Sequence, residues 1–366
     1  MTSTVTDLVV MLDHDFPMAW AEPWDRVGLR VGDGRASVHG VFVTLDPTEE
    51  AVEKTAAAGA NVLLTHHPPF LEALDEVTGS STAGRVVLSA ARRGVAIVAM
   101  HTNLDRAPAG GDALAEGLGL SVLRPLERSL QEVDIVTVYV PVEAEAAVRQ
   151  EMIAAGAGRI GQYEGCAFVG QGSGGFSALE GASPRVGEAD GAEVAEKRVE
   201  MIAPTGRGLA VVDAARAVHP YEEPVITVAR GGLSRGVARL GRLCSTTPTS
   251  LAGLASAVSE RLSTPVRVWG DEGTRVRTVA VANGSGTSLI GAAREAGADA
   301  LVTGEVRYHD ALEALGSGLA IVEAGHDATE WPLVRVLARA ARRAVGDGAV
   351  IEDEVHLAWW SRGKGE

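Results

Sequence analysis

AGANVLLTHH, residues 58–67, and AGADALVTGE, residues 296–305, share a gapless register at an offset of 238 residues, and this pair decides the fold. The same offset sets VFVTLD (41–46) over VAVANG (279–284). Each half reads as an apolar β-branched run, a helical stretch, then Ala-Gly-Ala and a second apolar run. The connecting stretches, PTEEAVEKTAA and SGTSLIGAARE, carry acidic or Ser/Thr residues at their fronts, which favours a helix start there. A third strand follows in each half, shifted by several residues: GVAIVAMHTNLD (94–105) and GLAIVEAGHDATE (318–330). Any two α/β units share Val/Ile runs and Ala-rich helices, but spacing held from 41 through 67 points to duplication. The halves are two related βαβ lobes.

Between them the pattern changes. VDIVTVYVP reads as a strand, VEAEAAVRQEMIAAGAG as a helix, and YEGCAFVGQGSGGFSAL and AEKRVEMIAP as strands about a Gly-rich turn. GLAVVDAARAVHP is helical and EPVITVAR closes with a strand. The order β-α-β-β-α-β is the ferredoxin-like arrangement, and a segment of roughly 100 residues can fold as its own domain. The expected fold class is therefore α/β: two pseudo-repeated lobes form a discontinuous core, residues 1–128 and 233–366. A ferredoxin-like α+β domain, residues 129–232, interrupts it.

Composition narrows the functional classes. The 46% apolar and 22% charged content belongs to a folded globular chain rather than a disordered one. A net charge of −15 disfavours nucleic acid as a partner, since that needs a basic footprint, but leaves room for a local basic pocket. Cys166 and Cys244 are the only cysteines, far apart and outside any C-x-x-C pattern, which argues against a disulfide framework or a Cys-rich zinc site. The N-terminal MTSTVTDLVVMLDHDFP lacks the charged and apolar regions of a signal peptide, and no uncharged apolar run approaches the ~18 residues of a spanning helix. A cytoplasmic protein with no membrane partner is expected.

The candidate chemistry lies at strand ends. His66 and His67 follow NVLLT, His101 and Asp105 follow VAIVAM, and His326 and Glu330 follow LAIVEA. Carboxyl ends of strands are where open α/β sheets put their ligand crevices. Imidazole suits zinc, iron, nickel or copper, and a carboxylate can bridge two ions or hold a harder one such as manganese. Three or four His with two carboxylates exceed one tetrahedral structural site and suit two ions. Adjacent histidines on a strand point to opposite faces, so both reach one cluster only if the backbone turns, as Pro68-Pro69 enforces. His326 and Glu330 are one helical turn apart, although Pro332 suggests a helix that begins only near Thr329. His14, His39 and His356 read as surface or satisfied core residues, and His219 in HPYEEP as a packing or partner feature of the inserted domain. Gly284-Ser285-Gly286-Thr287-Ser288 joins a strand to a helix, either as a phosphate cradle or as a tight turn with an N-cap. It lacks the Lys of a P-loop.

WDRVGLRVGD (24–33), LLTHHPPF (63–70), HTNLD (101–105), TGEVRYHDA (303–311) and GHDATEWP (325–332) together resemble the GTP cyclohydrolase 1 type 2 homolog family, also called NGG-interacting-factor-three-like. The resemblance runs nearly end to end, with five motifs in order. The inserted segment resembles the PII/CutA-like domain of longer bacterial members through VYVPVEAEAAVRQEMIAAGAGRIGQYEGCAF, the GSGGF and GEAD stretches and AVHPYEEP. The resemblance implies a dinuclear metal site with ligands His66, His67, Asp105, His326 and Glu330, with His101 nearby, and a toroidal homo-oligomer, typically a hexamer. Arg26 departs from the family, which usually has Asn after Trp-Asp.

Two functions from different classes follow. One is a metal-dependent hydrolase of a nucleotide-like or phosphorylated small molecule. Its two divalent ions (zinc, iron, manganese or nickel) would activate a water, Glu305 or His101 would act as general base, and Arg26, Arg30 and Arg307 would supply basic contacts. The other is a regulatory or metal-handling protein without turnover.

Overall fold

The duplicated stretches form two parallel three-strand cores. A computed structural model describes residues 3–128, 130–161, 163–181, 192–234 and 236–355; His356 and the GEAD stretch at 187–190 lie outside the described residues. In chain order the strands are β1 (Gly28–Val31), β2 (Val41–Thr44), β3 (Val62–Thr65), β4 (Ala96–Ala99) and β5 (Ser121–Pro125). There follow β6 (Leu130–Pro141), β7 (Phe168–Phe176), β8 (Ala192–Pro204) and β9 (Ile226–Ser234). The last are β10 (Arg242–Ser250), β11 (Arg267–Trp269), β12 (Arg275–Ser285), β13 (Ala300–Glu305), β14 (Ala320–Glu323) and β15 (Val350–Glu352).

Strands β2, β3 and β4 pair in parallel, as do β12, β13 and β14. Every residue of β2, β3, β4 and β14 is buried, which is why these strands read as unbroken apolar runs rather than alternating ones. The repeat extends one strand further than the sequence suggests. β1 runs antiparallel beside β4 and β11 antiparallel beside β14, and the 238-residue offset carries Leu29 of β1 onto Arg267 of β11.

Each sheet is completed by a strand from the other half of the chain. The first sheet has the order β1-β4-β3-β2-β15 and the second β11-β14-β13-β12-β10-β5. This exchange ties the halves of the core together. The helix His326–Val345 adds to the tie, since it contacts β2, β3 and β15 of one sheet and β12 and β13 of the other. Its Leu333, Val334 and Leu337 are buried with Val41, Val43, Leu64 and Val98, each such side chain contributing roughly 1.5–3 kcal/mol by burial.

That helix corrects one expectation. It starts at His326, not near Thr329, and Pro332 lies inside it. An interior proline forfeits one backbone hydrogen bond. Here the long buried face of the helix outweighs that loss, and Thr329 secures the first turn by donating its hydroxyl to Gly325 and His326 carbonyls.

The connecting helices also differ between the repeats. Glu49–Ala57 is capped by Thr48, whose side chain accepts from the Ala51 N–H, and has Glu49 and Glu50 in its first turn. Its counterpart is a 3₁₀ turn, Thr287–Leu289, leading into the short helix Ile290–Glu295 with no side-chain cap. Among the described residues no helix is long and apolar enough to cross a membrane.

The chain divides into two compact units, Met1–Arg128 with Gly236–Glu366, and Ser129–Arg235. In the latter, β6 to β9 form an antiparallel sheet of order β7-β8-β6-β9. The helices Glu145–Ala154 and Gly208–Val218 bury Val148, Met152, Val211 and Ala215 against Val136, Val138, Val140, Val199 and Met201 of the sheet. β9 runs past the expected junction at 232 because its pairing continues to Ser234, opposite Leu130. His219 is buried in this unit, its Nε2 2.9 Å from the Tyr139 carbonyl oxygen, so it serves packing.

Candidate metal centre

Parallel pairing of β2, β3 and β4 ends at Thr65 and Ala99, and the side chains beyond those residues turn toward one point. The His67 N–H donates to the Leu45 carbonyl at 3.0 Å and the Thr65 hydroxyl to the His67 carbonyl at 2.6 Å, which bends the chain off the strand. Strand alternation therefore stops, and the rings of His66 and His67 lie 5.0 Å apart on one side. His101 follows β4, its ring 5.1 Å from His66 and 5.5 Å from His67. Asp105 comes one turn later, on the helix Thr102–Arg106, with Oδ2 3.8 Å from His66 Nε2.

The second half contributes from the first turns of His326–Val345. Glu330 sits at the centre, with Oε1 3.7 Å from His66 Nε2 and 3.1 Å from His326 Nε2, and Oε2 3.0 Å from His67 Nε2. The structure thus brings together the five residues expected as ligands, His66, His67, Asp105, His326 and Glu330, with His101 beside them as expected. Among the described residues, two overlapping groups have donor atoms close enough to hold a metal ion: His66, His67 and His101, and His67, His326 and Glu330.

Glu305 stands apart from the centre. It is exposed, and its Oε1 lies 3.1 Å from His326 Nδ1, so it orients that ring. Other partners lie outside the ligand set expected from the sequence. Asp46 Oδ1 lies 2.8 Å from His67 Nδ1, Asp25 Oδ1 2.8 Å from His101 Nδ1, and the Met100 carbonyl 3.0 Å from His66 Nδ1. Asn283 donates to Asp105 at 3.3 Å. Each histidine thus has one nitrogen fixed by an acceptor and the other left for the cluster, the pattern that orients metal ligands. Asp46 ends the VFVTLD motif at the carboxyl end of β2, so strand-end position was the signal that could have found it.

Replacing Asp46 with Ala is expected to weaken metal binding about 10–100-fold, as losing such a partner does elsewhere. Competition against a chelator measures this, and unchanged affinity would remove Asp46 from that role.

The glycine-rich turn serves close packing. Gly284 has φ +54°, and a Cβ there would stand 2.1 Å from Glu330 Oε1 and 3.0 Å from His326 Nε2. The β12–β13 register breaks between Ala282 and Ser285, a bulge that sets Asn283 toward Asp105. Arg26, Arg30 and Arg307 line neither cavity beside the cluster; Arg26 donates to the Leu71 carbonyl and Arg307 pairs with Asp310. Arg267, paired with Glu323 at 3.4 Å, lines a cavity of about 680 Å³ bordered by Asp46, His67, Glu305 and His326. His14 is a surface residue paired with Asp15, and His39 is exposed.

Buried His66 Nε2 makes no hydrogen bond, its nearest carboxylate oxygens lying 3.7 Å away on Glu330 and 3.8 Å away on Asp105. Buried polar atoms are nearly always bonded, and an unsatisfied one costs about 1–3 kcal/mol. A cation between His66 and the Asp105 and Glu330 carboxylates would satisfy it, so the residues fit a metal. The charges agree. Burial opposes the charge on Glu330, but His66, His326 and His67 hold its pKa well below the usual carboxylate range. Burial, reinforced by the Glu330 charge, pushes Asp105 up despite His66. Burial disfavours a proton on His67, yet Asp46 and Glu330 raise its pKa to about 10; Glu330, against burial, raises His326 to about 9.

These shifts give a pH prediction. An imidazole raised above its unfolded value near 6.5 contributes stability that is complete below that value and is lost as pH rises through the folded one. The chelator-treated protein is therefore expected to lose several degrees of melting temperature between pH 7 and 10, on the order of 5 °C. Metal, which needs the neutral imidazoles, should bind with proton release and more tightly as pH rises. Calorimetry in buffers of different ionisation enthalpy reads the protons; uptake without release would contradict the assignment.

Histidines and carboxylates gathered at strand ends between two related lobes define an α/β protein able to hold metal. The chain belongs to the Duf34/NIF3 (NGG1p interacting factor 3) family, whose profile matches residues 3–355. It is 37% identical to the GTP cyclohydrolase 1 type 2 homolog of Mycobacterium leprae, over 91% of this chain and 88% of that one. Against the protein of the same name from Bacillus subtilis the figures are 35% identity and 87% of each chain. The crystal structure of a Bacillus cereus protein related to NIF3 superposes with a TM-score of 0.65 at 31% identity, covering 97% of this chain and 98% of that one.

Proposed function

We propose that this chain is a hydrolase working with two divalent metal ions on a nucleotide-like or phosphorylated small molecule, a reading the relatives' name also suggests. The observation that carries it is the position of Glu330, whose two oxygens face different imidazoles, Oε1 toward His66 and His326 and Oε2 toward His67. A carboxylate so placed suits a pair of ions, with His66, His67, Asp105, His326 and Glu330 as holders. Zinc, iron, manganese or nickel is compatible with such ligands, and cellular supply decides among them. Bound there, two ions would supply an activated water and a clamp for the oxyanion that forms. His101, fixed through Nδ1 by Asp25, has its other nitrogen for moving a proton or adding a ligand. Glu305 holds the His326 ring. Free Cys166 and Cys244 suit a reducing cytosol.

The test is metal-reconstituted protein screened against nucleotides and phosphoesters beside a His66→Ala/Glu330→Ala double variant. Turnover in the first and none in the second is expected; no difference between them ends the hydrolase reading. A regulatory or metal-handling role without turnover draws on a separate observation, the compact 129–235 unit, which we read as PII/CutA-like. Metal that exchanges freely and gates a partner, without any turnover, would favour it.

A further inference from the structure

Trp24 is 54% exposed. A single exposed aromatic needs no explanation by itself. Trp24 differs because its segment is held rigidly against the cluster. The neighbouring Asp25 is buried, and its carboxylate accepts from the Thr102 N–H at 3.0 Å and the Thr102 hydroxyl at 2.5 Å while bonding His101. On the other side, the Glu22 N–H donates to the Thr102 hydroxyl at 2.9 Å, and Arg106 pairs with Glu22. Residues 22–25 are thus fastened to the helix that carries Asp105. The indole and the His101 ring meet in a T-shaped arrangement, with centroids 6.0 Å apart at 74°.

The indole forms one wall of a cavity of about 380 Å³ that reaches His101, Asp105, His326 and Glu330. Leu240 and Leu289 add apolar surface, and the exposed residues Ser285 and Ser288 add hydroxyls. Among the described residues no Arg or Lys lines this cavity, whereas Arg267 lines the larger one, and the two cavities share His326. A phosphate would find no cationic side chain beside Trp24. A flat, uncharged ring would find an exposed indole, hydroxyl partners and a volume within the range of small-molecule pockets.

From this the geometry points to a planar, uncharged heteroaromatic ring of nucleobase size as the ligand of this cavity, stacked on Trp24 and hydrogen-bonded by Ser285 and Ser288. The inference rests on the cleft being a substrate site, as proposed above, and names the part of the substrate that enters this side.

Binding of guanosine, adenosine, cytidine and uridine to the metal-loaded full chain, followed by calorimetry, tests it, with ribose 5-phosphate as a ligand lacking a base. At least one nucleoside should bind, and Trp24→Ala should weaken it about tenfold or more, the loss typical of a missing stacking partner. Trp24→Leu, which keeps apolar bulk without a ring, should lose affinity in the same way, and Trp24→Phe should retain most of it. Metal content and ribose 5-phosphate affinity should be the same in all four proteins. Failure of every nucleoside to bind, or equal affinity in the wild type and Trp24→Leu, would overturn the inference. Nucleoside binding that depends on Trp24 without any turnover would instead remove the hydrolase reading and leave this one standing. Turnover indifferent to Trp24 would do the reverse.

Discussion

Glu330→Gln is expected to cost the protein most of its bound metal while leaving it folded. Gln matches Glu in shape, so the packing of the helix His326–Val345 is retained. The charge is what disappears, and Glu330 is the buried carboxylate nearest to His66, His67 and His326, at 3.7, 3.0 and 3.1 Å. Losing a partner that merely orients a ligand costs about 10–100-fold in metal affinity, so losing a central ligand should exceed ~100-fold. Elemental analysis after dialysis should find less than half the wild-type metal per chain. The same substitution removes the main counter-charge of the imidazoles. The raised pKa values of His67 and His326 should therefore fall toward the ordinary histidine range, which NMR titration of the chelator-treated protein can follow. Full metal content in Glu330→Gln would show that the cluster does not hold metal through this residue.

Gly284→Ala should reach the same cluster by a steric route. The added Cβ would lie 2.1 Å from Glu330 Oε1, a distance no real contact tolerates, on a backbone at φ +54°. Left-handed strain costs roughly 1–2 kcal/mol, and overpacking a tight interior about 1–3 kcal/mol. The carboxylate must move, and the imidazoles crowd the positions it could take. A destabilisation of roughly 2–5 kcal/mol with loss of metal is expected, read by denaturant unfolding and metal analysis. Gly297→Ala is the control: its φ is +73°, but nothing lies within 4 Å of the new Cβ. It should show the strain alone and keep its metal. If both variants behave alike, Gly284 matters only for its backbone conformation.

The two variants probe features of different legibility. Glu330 could be read from the chain because it follows an apolar run at a spacing of one helical turn from His326. Gly284 could be read only as part of a Gly-Ser-Gly turn, with a phosphate cradle as one meaning. Its role as a surface against which Glu330 packs appears once β12, β13 and the helix His326–Val345 meet. Arg26, Arg30 and Arg307 illustrate the same limit: a basic side chain near a motif in sequence says little about where its guanidinium ends.

The sequence by itself determined the duplicated lobes, the order of elements in the inserted unit and the residues clustered at the carboxyl ends of β3, β4 and β14. These are local quantities: a strand buried on both faces must be apolar throughout, and the side chains that follow it are set by where the run stops. Only tertiary contacts made β5 and β15 each complete the other half's sheet, started the helix at His326 despite Pro332, and set Asp25, Asp46 and Asn283 against His101, His67 and Asp105. Those outcomes depend on contacts between residues far apart in the chain: Asn283 meets Asp105, and Asp25 meets His101. No periodicity encodes such pairs, because a lone carboxylate in a loop has the same local signature whether it faces water or a histidine.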